Sequence, residues 1–348
     1  MKERSEAPTI RDVAHRAGVS PATVSSVLRG SKRVSDITRR KVEEAIRQLG
    51  YRPNAVARSL RTHESRAIGL VVPDITNPFY ADIAQGVTLE ARDNGYTVVL
   101  VTADEAYESV MEAARTLVDR QVDGMVFTNI GWDYPMPDRA IEGVPYVMVN
   151  RHGNPVRADY VGVDNYAGAL DAMQHLVDLG HRCIAFIGGM ENSSASQRRL
   201  EGYLAAVRQW QLAADPDLVQ FGHLRYDKAL SLATQLPDKH RHLTAIFAAD
   251  DMMAMGVLDG LDEIGLRVPE DISVVGFDGI WPGALSRVQL TTVAQPREEI
   301  GREAMRLIRQ RIHGFDGEPQ VIQLPYRLAI RKSTARARRR ARRKSVTV

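Results

Sequence analysis

Between residues 9 and 60 the chain carries three short apolar runs at helical spacing, each bounded by start and stop signals that leave no room for longer elements. Ile10, Val13, Ala14 and Ala17 form the first run, with Thr9 at its N-cap and Asp12 where negative charge suits a helix N-terminus. Gly18 stops it. Ser20 then caps a second run with Pro21 at its first position, so two short helices meet across Ala17-Gly18-Val19 as in a helix-turn-helix. In that second helix Val24, Val27 and Leu28 can face a small core, which leaves Pro21, Ala22, Ser25, Ser26 and Arg29 for a major groove. A third helix starts near Ser35, carries Val42, Ala45, Ile46 and Leu49 as its apolar stripe, and closes at Gly50.

The charge is segregated in the same way. Residues 1–62 hold 14 Lys or Arg against 6 Asp or Glu, whereas residues 63–330 hold 23 against 37. A basic head on an acidic body points to a phosphate-facing surface; the alternative is a small bundle whose basic residues are merely solvated. The last 18 residues, Arg331 to Val348, add nine Lys or Arg and no acid, so the formal charge of +3 becomes −6 without them. That stretch has too little apolar surface to fold and reads as a mobile tail, either without a specific role or as an auxiliary phosphate contact.

A chain of 348 residues, 44% hydrophobic and 26% charged, has material for more than one core. No run approaches the about eighteen apolar residues that span a bilayer, and Met1-Lys2-Glu3-Arg4-Ser5-Glu6 lacks a signal-peptide core, so a cytoplasmic location and no membrane partner are expected. Cys183, the single cysteine, lies in an apolar run and reads as a structural thiol.

After the third helix, Pro53 breaks the chain and Asn54 can cap a further helix of about two turns, too short to be stable alone in water. A twin copy from a second subunit, or DNA, has to stabilise it, and Leu60 then becomes a wedge between base steps of the minor groove. With Asp12-Val13-Ala14, Ala17-Gly18-Val19-Ser20, Thr23-Val24-Ser25 and the run Gly50 to Leu60 in order, the chain resembles the LacI/GalR family of bacterial transcription regulators. The resemblance extends to about Arg331. It implies a homodimer reading a near-palindromic double-stranded operator, with DNA contacts at Thr9, Ser20, Pro21, Ala22, Thr23, Ser25, Ser26, Arg29, Asn54, Ala57 and Leu60. Ser26 stands where the family commonly has arginine, and Arg29 where asparagine is frequent. A serine cannot match the bidentate pairing of arginine with guanine, so specificity shifts toward Ser26, Arg29 and DNA deformation at Leu60.

From Arg66 onward apolar strand runs alternate with helical stretches. Strands are expected at 67–72, 96–101, 124–128, 145–149, 183–188, 244–248 and 272–277, with helices near 79–94, 105–120, 165–179, 195–211 and 250–264. The fold class is α/β: an N-terminal helix-turn-helix head plus a two-lobed, periplasmic-binding-protein-like body with parallel sheets. The boundaries are 1–50 for the head, 51–65 for the hinge helix and linker, 66–330 for the body and 331–348 for the tail. Lobe 1 takes about 66–164 and 294–322, and lobe 2 about 165–293 and 323–330. Ligands of open parallel sheets bind beyond the carboxyl ends of strands, which singles out Asp74, Asn150, Asp250 and Asp278; each alternatively reads as a helix cap or loop residue. The family resemblance adds Phe79, Tyr80 and Arg199 and implies a small-molecule effector. Carboxylates, a guanidinium and an aromatic face suit a sugar. Leu224 replaces an aromatic residue frequent in the family, so ring stacking is expected to be lost there.

Enzymatic readings are weak. Asp250 and Asp251 are adjacent on a helix and cannot face each other as an acid/base pair, and His240-Arg241-His242 has no carboxylate or cysteine cluster beside it. No phosphate loop or dinucleotide fingerprint occurs, and neither a cofactor nor a metal is expected. Two other classes compete: a solute-binding protein of the same two-lobed fold, which would carry a signal peptide and no DNA-binding head, and an architectural DNA protein driven by the basic tail. The expectation is a repressor whose effector biases the dimer between arrangements that hold the Leu60-bearing helices together or apart. The chain ends in arginines without a leucine heptad, which favours a dimer over a tetramer. Replacing Leu60 with Ala should weaken specific operator binding in a mobility-shift titration while sparing the fold; an unchanged affinity would remove the wedge.

Overall fold

A computed structural model describes residues 8–28, 34–51, 64–128, 131, 141, 143–152 and 158–338. The chain divides into two compact units, Met1–Ser65 and Arg66–Val348.

The first unit holds α1 (Ile10–Ala17), α2 (Pro21–Leu28) and α3 (Asp36–Leu49). Each helix starts on a side-chain cap. Asp12 N donates to Thr9 Oγ1 at 3.4 Å while Thr9 N donates to Asp12 Oδ2 at 2.7 Å, a reciprocal capping box. Thr23 N donates to Ser20 Oγ at 3.2 Å and Thr38 N to Ser35 Oγ at 3.4 Å. Gly18 and Gly50, at φ 66° and 61°, take the left-handed conformation that ends α1 and α3. Val13, Ala14, Val24, Val27, Val42 and Ala45 form the core. Leu28 does not join it: one residue beyond Val27 it has turned about 100° around the axis, and it is exposed.

In the second unit two six-stranded sheets follow. The first contains β1 (Ala67–Val72), β2 (Thr97–Thr102), β3 (Gly124–Phe127), β4 (Tyr146–Val149), β5 (Asp159–Gly162) and β11 (Val321–Gln323), in the order β11-β5-β4-β3-β1-β2. All its pairings are parallel. The second contains β6 (Ile184–Gly188), β7 (Val219–Phe221), β8 (Ala245–Ala248), β9 (Ser273–Asp278), β10 (Thr291–Ala294) and β12 (Arg327–Ala329), in the order β12-β10-β9-β8-β6-β7. Only β12 runs antiparallel. The central strands are continuous apolar runs because helices cover both faces of each sheet.

Those helices are α4 (Pro78–Asp93), α5 (Tyr107–Asp119), α6 (Asn165–Asp178), α7 (Ser194–Gln209), α8 (Tyr226–Lys239), α9 (Asp251–Glu263) and α10 (Arg297–Ile312). The chain passes between the sheets after β5, after β10 and after β11. The crossing of α4 with α10 is tight: a Cβ on Gly86 would lie 2.0 Å from Glu298 O, and one on Gly301 2.2 Å from Ile83 O. Glycine is required at both positions because the obstacle is backbone.

Part of the stretch assigned to the tail from sequence is built into the second unit. Residues 331–338 are bonded to the second sheet: Ser333 Oγ donates to Val274 O at 2.6 Å, Ala335 N to Ser273 Oγ at 3.1 Å, and Arg331 Nη1 to Leu290 O at 2.5 Å. His181 Nε2 lies 3.0 Å from Ala335 O. Ser333 and Ala335 make these bonds through their backbone and a buried hydroxyl, which a reading of net charge does not register. A chain that ends at Arg338 serves as the reference for the urea midpoint of the second unit. Removing 331–348 should cost about 3 kcal/mol or more, from several net hydrogen bonds of about 1 kcal/mol each; equal midpoints would show that the segment contributes nothing.

Candidate functional site

The second unit encloses a narrow cleft between its two sheets, at the carboxyl ends of the strands. From the first sheet come Asn77, Phe79, Tyr80, Asn150 and Arg151. From the second come Ser193, Ser196, Arg199, Leu224, Asp250 and Asp278, with Gly189, Ala195 and Ala249 between them. Six of the seven residues expected from sequence thus converge. Asp74 does not. It is exposed, and its Oδ1 accepts from Thr76 N at 2.8 Å and Thr76 Oγ1 at 2.7 Å, closing a turn before Asn77 begins α4.

Arg199 is the centre of the second wall. Its Nε donates to Asn165 Oδ1 at 2.8 Å, Nη1 donates to Ala249 O and lies 3.4 Å from Asp278 Oδ1, and its guanidinium sits 3.7 Å over the Phe277 ring. Burial lowers its pKa, opposed by Asp278 and Asp250. Asp278 ends β9 at φ 110°, a left-handed conformation an aspartate rarely adopts, and Gln295 Nε2 donates to its Oδ1 at 2.8 Å. Burial raises the Asp278 carboxyl, with Arg199 opposing. Asp250 caps α9 by accepting from Met253 N at 2.6 Å; burial, and then Asp278, push it up to about 7.

Asp251 faces elsewhere. It accepts from Ile280 N at 2.8 Å and Thr292 Oγ1 at 2.6 Å, so the two adjacent carboxylates do not form an acid/base pair. Among the described residues no group of His, Cys, Asp and Glu could hold a metal ion. Burial pushes the Cys183 thiol up, as suits a structural cysteine.

Sequence reasoning missed Arg151, which follows Asn150 at the end of β4 and was open to the same strand-end argument. Its side chain is 3% exposed, ion-paired to Glu105 and donating through Nη2 to Tyr80 Oη at 3.2 Å. It also missed Ser193 and Ser196, the cap and first turn of α7. Among the described residues, two buried polar atoms of the lining have no hydrogen-bond partner: Asn150 Oδ1 on one wall and Arg199 Nη2 on the other. The walls also touch directly, His152 N donating to Ser194 Oγ at 3.0 Å. At the crossover after β10, Arg297 donates to Asp82 Oδ2 of α4 at 2.8 Å and to Asp278 O at 2.5 Å.

On the head, α2 presents Pro21 and Ala22 fully, and Thr23, Ser25 and Ser26 in part. Thr9, Ser20 and Thr23 spend hydrogen bonds on capping, Ser20 Oγ lying 2.9 Å from Thr23 Oγ1. Arg29, Asn54, Ala57 and Leu60 lie outside the described residues.

Residues 9–54 match the profile of bacterial regulatory proteins of the lacI family, and residues 173–334 that of a periplasmic binding protein-like domain. The HTH-type transcriptional regulator CelR of Thermobifida fusca is 38% identical over 95% of this chain and 99% of its own length. The HTH-type transcriptional repressor CytR of Escherichia coli K12 is 37% identical over 90% and 92%. The chain belongs to the LacI family. Among solved structures, the lac repressor dimer bound to operator and the anti-inducer ONPF matches with a TM-score of 0.84 at 28% identity, over 95% of this chain and all of that one. The complex of the transcriptional regulator CelR with cellobiose matches with a TM-score of 0.71 at 36% identity, over 94% and 99%. The regulator is therefore a DNA-binding protein controlled by a small molecule, and its relatives are transcription regulators rather than enzymes.

The raised Asp250 carboxyl has a consequence for stability. Between its ordinary value of 3.8 and about 7 the folded protein holds a proton that the unfolded chain has released. Stability therefore falls as pH rises through that window, and the loss is complete above it. Asp250→Asn keeps a good cap and removes the titration, so its melting temperature should fall less than that of the wild type between pH 5 and pH 8. The corresponding difference in unfolding free energy should be on the order of a few kcal/mol. Parallel curves would refute the raised value.

Proposed function

We propose that this regulator is a homodimeric repressor of near-palindromic operators, controlled by a sugar bound between the two lobes of its second unit. One observation carries the sugar: Asn150 and Arg199 line the cleft from opposite walls, and each has a buried atom, Oδ1 and Nη2, without a hydrogen-bond partner among the described residues. A hydroxyl both donates and accepts, so a polyol supplies what each atom lacks. The charge-assisted bonds of Arg199, Asp250 and Asp278 suit further hydroxyls, and Phe79 offers an apolar face. Leu224 stands on the other wall in place of a ring, which disfavours a flat base held by stacking on both sides. The cellobiose complex of CelR, a relative along nearly the whole chain, supports the same class.

The effector acts by its differential affinity for two arrangements of the lobes. Contacts that span the cleft, such as His152 to Ser194, exist in one arrangement only, and a ligand that bridges the same walls changes their balance. The residues of α2 read the major groove. Pro21 and Ala22 offer it apolar contact, while Ser25 and Ser26 supply hydroxyls. Asn54, Ala57 and Leu60 complete the reading in the minor groove, as their sequence positions suggest.

The test is a thermal-shift screen of the full chain against neutral sugars, sugar phosphates and purines, followed by operator mobility shifts with each hit. A neutral sugar is expected to raise the melting temperature and change operator affinity, and Asp278→Asn should weaken its binding at least tenfold. A hit limited to purines, or a full shift in the Asp278 variant, would overturn the reading.

A further inference from the structure

Both cationic side chains that line the cleft are matched by a carboxylate. Arg199 faces Asp278, and Arg151 is paired with Glu105. Glu105 does not itself line the cleft: it sits in the turn between β2 and α5 with 22% of its side chain exposed, and reaches Arg151 from behind. Arg151 is anchored on its other side by Tyr80, whose oxygen accepts from Nη2 and whose own proton is left to give. The first wall thus contains a full cationic charge that is buried, pinned in place and cancelled.

We propose that Glu105 sets the charge class of the effector: by pairing Arg151 it reserves the cleft for uncharged polyols and excludes sugar phosphates. This rests on the sugar reading of the cleft. The phosphoryl group of a sugar phosphate dianion entering here meets Asp278 and Asp250 with both cations already paired, and its oxygens, which only accept, give nothing to Asn150 Oδ1. Without the Glu105 charge, Arg151 loses its ion pair and keeps only the longer-range attraction of Asp250, the condition under which an anion gains as an occupant. Glu105 is a specificity residue acting through Arg151; it need not touch the ligand.

Glu105→Gln keeps the shape and an acceptor for Arg151 while removing the charge. The probe is inorganic phosphate on the full chain, compared with sodium chloride at equal ionic strength so that screening at the basic head cancels. The variant should melt lower than the wild type in chloride, and its phosphate affinity by calorimetry should rise at least tenfold. That gain should vanish in the double variant Glu105→Gln, Arg151→Met. If Glu105→Gln does not fold, Glu105→Asp, which withdraws the carboxylate by one methylene, should give a smaller gain in the same direction. Equal phosphate affinity in wild type and variant, or a gain that survives loss of Arg151, would overturn the proposal. Because phosphate reports only on the charge of Arg151, failure of every sugar in the screen would strike the sugar reading and leave this result standing.

Discussion

Arg199 reaches from α7 to Asp278 at the end of β9, and both side chains are less than 10% exposed. Neither charge could be buried alone. Removing water from such a pair is costly unless the remaining donors and acceptors are satisfied, and the neighbours are disposed to do this. Asn165 and the Ala249 carbonyl take two guanidinium donors, Phe277 lies under its face, and Gln295 holds the carboxylate. The third guanidinium nitrogen, Nη2, has no partner among the described residues. A network of this kind holds its side chains in place without a ligand, so ordering them would cost a ligand little.

Much of this was legible in the sequence, for identifiable reasons. The head was readable because capping residues and glycines mark helix ends locally, and Thr9, Ser20, Ser35, Gly18 and Gly50 all act where their chemistry places them. Buried parallel strands announce themselves as apolar runs, so β1, β3, β4, β6, β8 and β9 fell within a residue or so of their expected bounds. Short or interrupted elements did not. β7, β11 and β12 have only three residues, β5 and β10 break their apolar runs with Asp159 and Gly162 or with Thr291 and Thr292, α8 contains Pro237, and α10 is so rich in charge that its stripe of Ile300, Ala304, Leu307 and Ile308 is easily passed over.

The site was readable to the extent that strand ends determine it. Asn150, Asp250 and Asp278 lie where the strand-end rule puts them, and Phe79, Tyr80 and Arg199 where the family resemblance puts them. Asp74 satisfies the same rule and fails, because the turn it closes keeps it in solvent. Glu105 was invisible for the opposite reason. Its importance comes from a partner 46 residues away, and no local pattern encodes a pairing of that kind.

The tight crossing of α4 and α10 gives the first lobe a mechanical property. With backbone against backbone at Gly86 and Gly301 there is no side-chain layer to take up slack, so the two helices move as one lever. The same end of that lever carries Phe79 and Tyr80 into the cleft and Arg297, bonded to Asp82, onto the carbonyl of Asp278 across the crossover. The two rings and the guanidinium therefore keep a fixed spacing, and whatever shifts one of them carries the others along.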